Sequence, residues 1–589
     1  MVLARSITTC ALMVALPSRS APSSLAGAMA CADSAAAHEF FVRYRKELPP
    51  NLMLNRGALV IVCGDRITFA EGFGRTAAGD SVDPARTIFR AASNSKLIAA
   101  TAVMQLADRG LWALDDDVNR YLPPAARLTP LPRAGPVTLA NLLTHTAGFE
   151  DKFAGGVVVP ADRLTLTDFF RLHSPRRVVA PASEVSYSNI GMALAGYLVE
   201  ARTGKPFARY AEREIFAPLG MTRSTFDQPP PREWTRDLAG GPPRGRYDVV
   251  FNPYPAASLV ATPVDMGHFI AAHLTTNSAL GTGRVLSPDA MEEMHATHWR
   301  AQPAAPGVAY GFFEGSLNGR RTLFHTGDSG DHSLVLILPD ERVGLYFVFS
   351  GADEQAPARD RFARVFMNTF FPTHGTDALA PTTDAGTIPE PSTSALAGTY
   401  RSASYSRSNY EKIRALFAQV TIRPGERGSL LLTPPGPTSP VRLERTSRLT
   451  FRRDSGEVVA YRQAPDGRVI GFTLGGLIWD PSSWDKIPWW ENGRMHLAAV
   501  AIALLALALR LLWTPVAWIV RRIRRRDALN LTPDDRRVWR CPVSLRQRSV
   551  SRLSSVPQRH CCRSRTRSSP FREPLRCLPR YGLSLSLRG

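Results

Sequence analysis

Phe89-Arg90-Ala91-Ala92-Ser93-Asn94-Ser95-Lys96 runs directly into Leu97-Ile98-Ala99-Ala100-Thr101-Ala102-Val103-Met104-Gln105-Leu106-Ala107-Asp108. From Ser93 to Asp108 the pattern is helical and apolar almost all round, with Leu97, Ile98, Ala100, Val103, Met104 and Leu106 leaving no polar face. A helix of that kind is normally buried, and Gly110 supplies a stop just past it. Ser93 and Lys96 are three residues apart, so they share one helix face. A serine at a helix N-terminus meets the positive end of the dipole and free backbone N–H groups, which favour a developing alkoxide and oxyanion. A lysine held there and partly desolvated can lose its proton and act as a base. Lysine is also scarce: six of the 72 basic residues are Lys (46, 96, 152, 205, 412 and 486) and the rest are Arg. Arg stays protonated in proteins, so a lysine kept in such a background suits chemistry that Arg cannot do; a drifted surface lysine is the plainer reading for most of the six.

Ser-x-x-Lys is a weak signal alone. Ser483-Trp484-Asp485-Lys486 also fits, but it lies between Pro481 and Pro488, where no long helix can start. A second element is Tyr187-Ser188-Asn189, which precedes an apolar helix. A tyrosine beside a cationic lysine has its pKa lowered and relays protons; alternatively, Tyr187 packs on a turn while Asn189 caps the helix. A third is His325-Thr326-Gly327 at the end of a strand, where Gly327 has no side chain to block a substrate backbone at that edge. Alternatively, it is a strand residue followed by a turn.

Three weak motifs in this order reinforce one another. Together with Leu142-Leu143-Thr144-His145-Thr146-Ala147-Gly148, Tyr187-Ser188-Asn189-Ile190-Gly191 and Pro218-Leu219-Gly220-Met221, residues 38–371 resemble the serine β-lactamase and penicillin-binding protein superfamily. The likeness is to the branch of class C β-lactamases, D-Ala-D-Ala carboxypeptidases and family VIII esterases. The resemblance implies an α/β (α+β) domain: a five-stranded antiparallel sheet flanked by helices, with an all-α subdomain inserted. It implies that Ser93 is the nucleophile, that Lys96 and Tyr187 share its proton and return it to the leaving group, and that Asn189 orients the substrate amide or Lys96. His325, Thr326 and Gly327 would bind substrate, His325 standing where many relatives have Lys. The oxyanion would be held by the backbone N–H groups of Ser93 and Asp328. His145 would support the site from behind. Departures from the family pattern are Pro181-Ala182 in place of Pro-Gly, His325 in place of Lys, and Asp328, whose carboxylate would repel a substrate carboxylate if it pointed inward. They favour esterase or D-peptidase chemistry over efficient β-lactam hydrolysis.

Around this domain the chain changes character. Residues 1–30 read as a secretory signal: Arg5, an apolar run from Ile7 to Leu16, then small residues. A disordered leader behind a badly chosen start is the other reading. Ala28-Met29-Ala30-Cys31 is a poor lipobox, since Leu is missing three before Cys31. Gly57 to Arg75 reads as a β-hairpin turning at Gly64-Asp65. Residues 372–395 are a Pro-, Thr- and Ser-rich linker. Within 396–490, short alternating runs at Leu396–Tyr400, Ala418–Arg423, Ser429–Thr433, Leu443–Phe451, Val458–Gln463 and Val469–Leu474 predict a small all-β, lipocalin-like barrel or sandwich. Residues 497–520 are apolar enough to span a membrane, flanked by Trp489, Trp490, Trp513 and Trp518 and then by Arg521-Arg522-Ile523-Arg524-Arg525-Arg526. The basic flank marks the inner side, so the catalytic domain would face the periplasm or cell exterior from the inner membrane.

The formal net charge of +21 invites a nucleic-acid partner. It is unevenly spread. Residues 521–589 hold 19 bases and 4 acids, a net of +15, against 53 and 47 before them, a net of +6. Four of the seven cysteines lie in that basic cytoplasmic tail, and no Cys or His cluster has zinc-site spacing. The expectation is no nucleic-acid partner, no metal and no cofactor. The tail reads as disordered, and the abrupt change after Arg540 favours out-of-frame translation of residues 540–589 over a nucleic-acid or lipid-binding segment. Two functions follow: a membrane-anchored serine hydrolase forming an acyl-enzyme on a small ester, amide or D-amino-acid peptide, or a non-turnover sensor that binds penicillin or cell-wall peptide. A sensor would want a foldable cytoplasmic domain, which favours the hydrolase.

Overall fold

A computed structural model describes residues 33–151, 155–240, 250–275, 285–373, 390–435, 439–454, 456–476 and 479–523. The proposed signal with Cys31, most of the proposed linker and the tail past 523 lie outside the described residues. The chain divides into two compact units, Met1–Val500 and Ala501–Gly589.

In chain order the first unit begins with α1 (Ser34–Lys46), the hairpin β1 (Arg56–Cys63) and β2 (Arg66–Phe73), β3 (Phe89–Ala92) and α2 (Ser95–Asp108). A largely helical stretch follows, with α3 (Leu139–Leu143), β4 (Val157–Val158), α4 (Leu166–Leu172), α5 (Asn189–Thr203), α6 (Phe207–Ala211) and β5 (Val250–Phe251). The chain then returns through β6 (Leu259–Ala261), α7 (Pro263–Leu274), α8 (Pro288–His295), β7 (Trp299–Arg300), β8 (Gly307–Val308), β9 (Phe313–Leu317), β10 (Arg320–Asp328), β11 (Asp331–Leu338), β12 (Val343–Ser350) and α9 (Pro357–Phe370).

Among the described residues the central sheet has eight strands in the order β2-β1-β12-β11-β10-β9-β8-β7, all antiparallel. That corrects the expected five. The five long strands are β2, β1, β12, β11 and β10; the additional three are two to five residues long. Their stretch carries Pro303, Pro306, Gly307 and Gly311, which erase the alternation that announces a strand.

The pleat sorts side chains onto two faces. Leu59, Ile61, Leu334, Leu336, Phe347 and Phe349 pack with Phe40, Phe41 and Tyr44 of α1 and Phe362, Phe366 and Phe370 of α9. Ala58, Val60, Val62, Val335, Ile337, Tyr346 and Val348 pack with α2 and α7. Because both faces are covered, β11 and β12 are buried nearly throughout, and β11 is apolar from Leu334 on. Cys63 is disulfide-bonded, and its partner lies outside the described residues.

A short helix, α10 (Thr393–Leu396), leads into a closed antiparallel barrel: β13 (Gly398–Ser402), β14 (Gln419–Pro424), β15 (Leu430–Thr433), β16 (Val441–Arg445), β17 (Thr450–Arg453), β18 (Val458–Gln463), β19 (Val469–Gly476) and β20 (Trp479–Ile487). The barrel core is aromatic, with Tyr400, Phe451, Tyr461 and Phe472 fully buried. Two expectations differ. Leu443–Phe451 is two strands, because the chain turns at Thr446–Leu449. The closing strand β20 does not show in the sequence, since Pro481 and its charged residues break the pattern; Pro481 sits opposite Gly475, where the β19–β20 register shifts. The second Ser-x-x-Lys therefore lies on a strand, with Ser483 buried and the Lys486 ammonium donating to the Ala395 carbonyl at 2.7 Å.

α11 (Gly493–Ile523) is, among the described residues, the one helix long and apolar enough to cross a membrane; its large apolar side chains from Leu497 to Val520 are exposed.

Candidate active site

The buried helix α2 begins at Ser95, two residues later than the pattern predicts. Ser93 and Asn94 form the turn before it, entered through Ala92 at φ 49°, a left-handed conformation that costs a non-glycine residue roughly 1–2 kcal/mol. Six hydrogen bonds, centred on Ser95, Ser333 and Asp331, hold this turn. The Ser95 hydroxyl donates to the Ala92 carbonyl at 2.5 Å and accepts from the Leu259 N–H at 2.9 Å. The Asn94 amide donates to Ser333 Oγ at 2.9 Å, and that hydroxyl donates to the Ala91 carbonyl at 3.2 Å. The fully buried Asp331 accepts the Arg90 N–H at 2.8 Å and the Ser350 hydroxyl at 2.6 Å. Burial pushes the Asp331 carboxyl above its ordinary range, partly offset by those two donors.

Strand β10 backs onto the same turn. A Cβ on Gly327 would stand 2.3 Å from the Ala91 carbonyl oxygen and 2.5 Å from Ser333 Oγ. The glycine is therefore required by the close approach of the nucleophile's own segment, a different reason from the open strand edge that the sequence suggested.

Two donors converge on Ser93. Lys96 Nζ is 2.9 Å and Tyr187 Oη 2.8 Å from Ser93 Oγ. Lys96 is fully buried, donates also to the Ala256 carbonyl at 2.8 Å, and lies 4.8 Å from the centre of the Tyr187 ring. Tyr187 comes from the irregular segment 182–188, which starts with Ala182 at φ 62°. The family's usual glycine at that position has a steric reason here. His145 packs against the Tyr187 ring, tilted, with centres 4.7 Å apart, and its Nδ1 accepts the Ser188 N–H at 3.1 Å. Ser188, rather than Asn189, caps α5, through its hydroxyl to the Gly191 N–H at 3.0 Å. Asn189 is the first helical residue and is half-buried.

His325 lies beyond Tyr187, with ring centres 6.3 Å apart, and stacks on Phe313 at 5.1 Å. Its Nδ1 is 2.7 Å from the Thr326 carbonyl, which can only accept, so Nδ1 carries the proton. Nε2 is then a buried lone pair without a hydrogen-bond partner among the described residues. Burial, with the Lys96 cation second, pulls the His325 pKa down to about 3. The ring should therefore stay neutral, protonated on Nδ1, from pH 8 to pH 4, and a two-dimensional ¹⁵N–¹H NMR titration checks this. An unfolded histidine titrates near 6.5, so this burial stabilises the fold fully above that pH, and the stabilisation is lost as pH falls through 6.5 toward 3.

Thr326 is buried beside it. The Asp328 carboxylate does not enter the pocket. It binds His332 Nδ1 at 2.5 Å and Arg359 Nη1 at 3.0 and 3.1 Å, on the face covered by α9. Burial raises its pKa, but His332 and Arg359 outweigh that and hold it below the ordinary value. The repulsion expected of an inward carboxylate does not arise.

The structure thus brings Ser93, Lys96, Tyr187 and His325 together with Gly327 at their back. Sequence reasoning missed the Ala256 carbonyl, a backbone acceptor with no side-chain signature. It also missed Asp331 and Ser333, although polar residues opening an otherwise apolar strand are a usable signal.

A family model described as Beta-lactamase matches residues 54–367, more than half of the 589-residue chain. The chain belongs to the beta-lactamase family. Within it, the chain is 29% identical over 224 residues to the D-alanyl-D-alanine-carboxypeptidase/endopeptidase AmpH of Escherichia coli (strain K12), covering 37% of this chain and 57% of that protein. It is 23% identical over 309 residues to Protein flp of Staphylococcus aureus (strain N315), covering 51% of this chain and 60% of that one. The chain therefore spans less than two thirds of the length of these curated relatives. The crystal structure of SurE with D-Leu shares the fold, at TM-score 0.53 and 20% identity, over 77% of this chain and 98% of that one.

Proposed function

We propose that the protein is a membrane-anchored serine hydrolase that forms an acyl-enzyme on Ser93 with a small ester, amide or D-amino-acid peptide. The convergence of Lys96 Nζ and Tyr187 Oη on Ser93 Oγ carries this reading. A neutral Lys96 takes the Ser93 proton as Oγ attacks the acyl carbon, and Tyr187 passes a proton to the departing group. Water then enters, and the same pair runs the transfers in reverse. The backbone N–H groups of Ser93 and Asp328 hold the oxyanion, and Asn189 and Thr326 orient the substrate. His325 offers a lone pair where many relatives offer a cation. This suits an acyl donor without a free carboxylate at that point, so esterase or D-peptidase activity is favoured over efficient β-lactam hydrolysis.

Helix α11 would anchor the protein in the inner membrane, with the catalytic domain outside. The disulfide at Cys63 supports that placement, because such bonds persist in oxidising compartments. The test is labelling of the full-length protein by a fluorophosphonate, with p-nitrophenyl ester turnover. Wild type is expected to label and turn over, and Ser93→Ala to do neither. Equal labelling of Ser93→Ala would overturn the assignment; labelling of wild type without turnover would establish the sensor instead.

A further inference from the structure

The barrel grips the segment that carries Tyr187. Arg462 on β18 spans two carboxylates: Nη1 to Glu184 Oε2 at 2.8 Å and Nη2 to Asp485 on β20 at 3.0 Å. The Glu184 side chain is 5% exposed and that of Arg462 13% exposed, so this is a buried link. One residue before Tyr187, the Ser186 hydroxyl is 3.0 Å from that of Ser404, in the barrel loop after β13. The same loop reaches the segment behind the tyrosine. The Arg407 N–H donates to Glu150 Oε2 at 2.8 Å, and the Ser408 hydroxyl binds the other oxygen of Glu150. Glu150 is fully buried, five residues after the His145 that packs against Tyr187. A fourth tie runs from the Gln302 amide to the Tyr461 carbonyl at 2.8 Å, beside a small apolar contact of Ala305 with Val458 and Ala460.

We propose that the barrel is a working part of the active site, with Arg462, Ser404 and Ser408 as positioning residues that set Tyr187 against Ser93. Residues 182–188 have no helix or strand ladder to fix them. Their place is set by His145 and Trp299 on the catalytic side and by Arg462 and Ser404 on the barrel side. Releasing Arg462 leaves Glu184 a buried charge without its main partner, and such a group moves toward water. Glu184 is three residues from Tyr187, so the phenol leaves hydrogen-bond range of Ser93. An error near 1 Å in a proton-transfer geometry costs about 10²-fold in rate.

This inference rests on the proposed hydrolase reading, and its test separates the two. 3-Fluorotyrosine is placed at position 187 of the full-length protein. Its ¹⁹F shift and titration are recorded for wild type, Arg462→Met, Arg462→Lys and Ser408→Gly, beside fluorophosphonate labelling of Ser93 and ester kinetics. Arg462→Met is expected to move the ¹⁹F signal and slow labelling by about ten- to a hundredfold, with KM changed less than twofold. Arg462→Lys should restore part of both. If Arg462→Met does not fold, the exposed Ser408→Gly carries the test, with a smaller shift of the same kind. An unmoved ¹⁹F signal in folded variants overturns the inference whatever the activity. A moved signal in a protein that never labels at Ser93 upholds the positioning and overturns the hydrolase reading alone.

Discussion

Lys96→Met is expected to lower the rate of Ser93 acylation by about 10²–10⁴-fold, the range that a positioned general base supplies, while leaving the protein at least as stable as before. Both halves follow from burial. The Lys96 amino group is enclosed at 0% exposure, and the hydrogen bonds available to it include those to Ser93 Oγ and the Ala256 carbonyl. A buried amine is desolvated at a cost that its hydrogen bonds repay only in part. Methionine fills most of the lysine stem without that cost. Labelling kinetics alongside thermal unfolding check the pair of outcomes. Loss of activity together with a large loss of stability would show Lys96 to be mainly structural.

The second large effect is at Gly327. Gly327→Ala puts a methyl group within 2.3 Å of the Ala91 carbonyl and 2.5 Å of Ser333 Oγ. Neither neighbour yields easily: the first is backbone, and the second is tied to Asn94 and to that same carbonyl. Overpacking of this kind costs roughly 1–3 kcal/mol. The strain falls on the turn that presents Ser93, so acylation should drop about 10²-fold or more in protein that still folds. Urea unfolding and labelling measure the two. Wild-type behaviour in both would overturn the close packing of β10 against β3 as the reason for the glycine.

Much of this was legible in the sequence because the chemistry depends on residue types at fixed spacing. Ser93 and Lys96 are one helical turn apart, and the geometry of one turn is known in advance. The hairpin β1–β2 was legible for the same reason: alternation and a Gly64-Asp65 turn are local signals. What escaped depends on contacts distant in the chain. Ala256 acts through a carbonyl that any residue possesses. β20 is held as a strand by closure of the barrel, against its own proline. Gly327 was correctly singled out but for another cause, because its neighbour Ala91 is more than two hundred residues away. The three short strands β7–β9 are imposed by the edge of β10 and have little pattern of their own.

The order of the central sheet has a consequence for how the protein is made. Strand β1 pairs with β12, so Arg56 meets Ser350 and Cys63 meets Val343. The catalytic groups are split in the same manner, Ser93 lying early in the chain and His325 late. A chain emerging from the ribosome can form the first hairpin by itself, but it can neither complete the sheet nor assemble the pocket before about residue 350 is available. Long-range pairing of this kind makes folding slow. The chain is thereby kept open while it is synthesised, as the proposed export would require, and the pocket is complete only when the whole domain has closed.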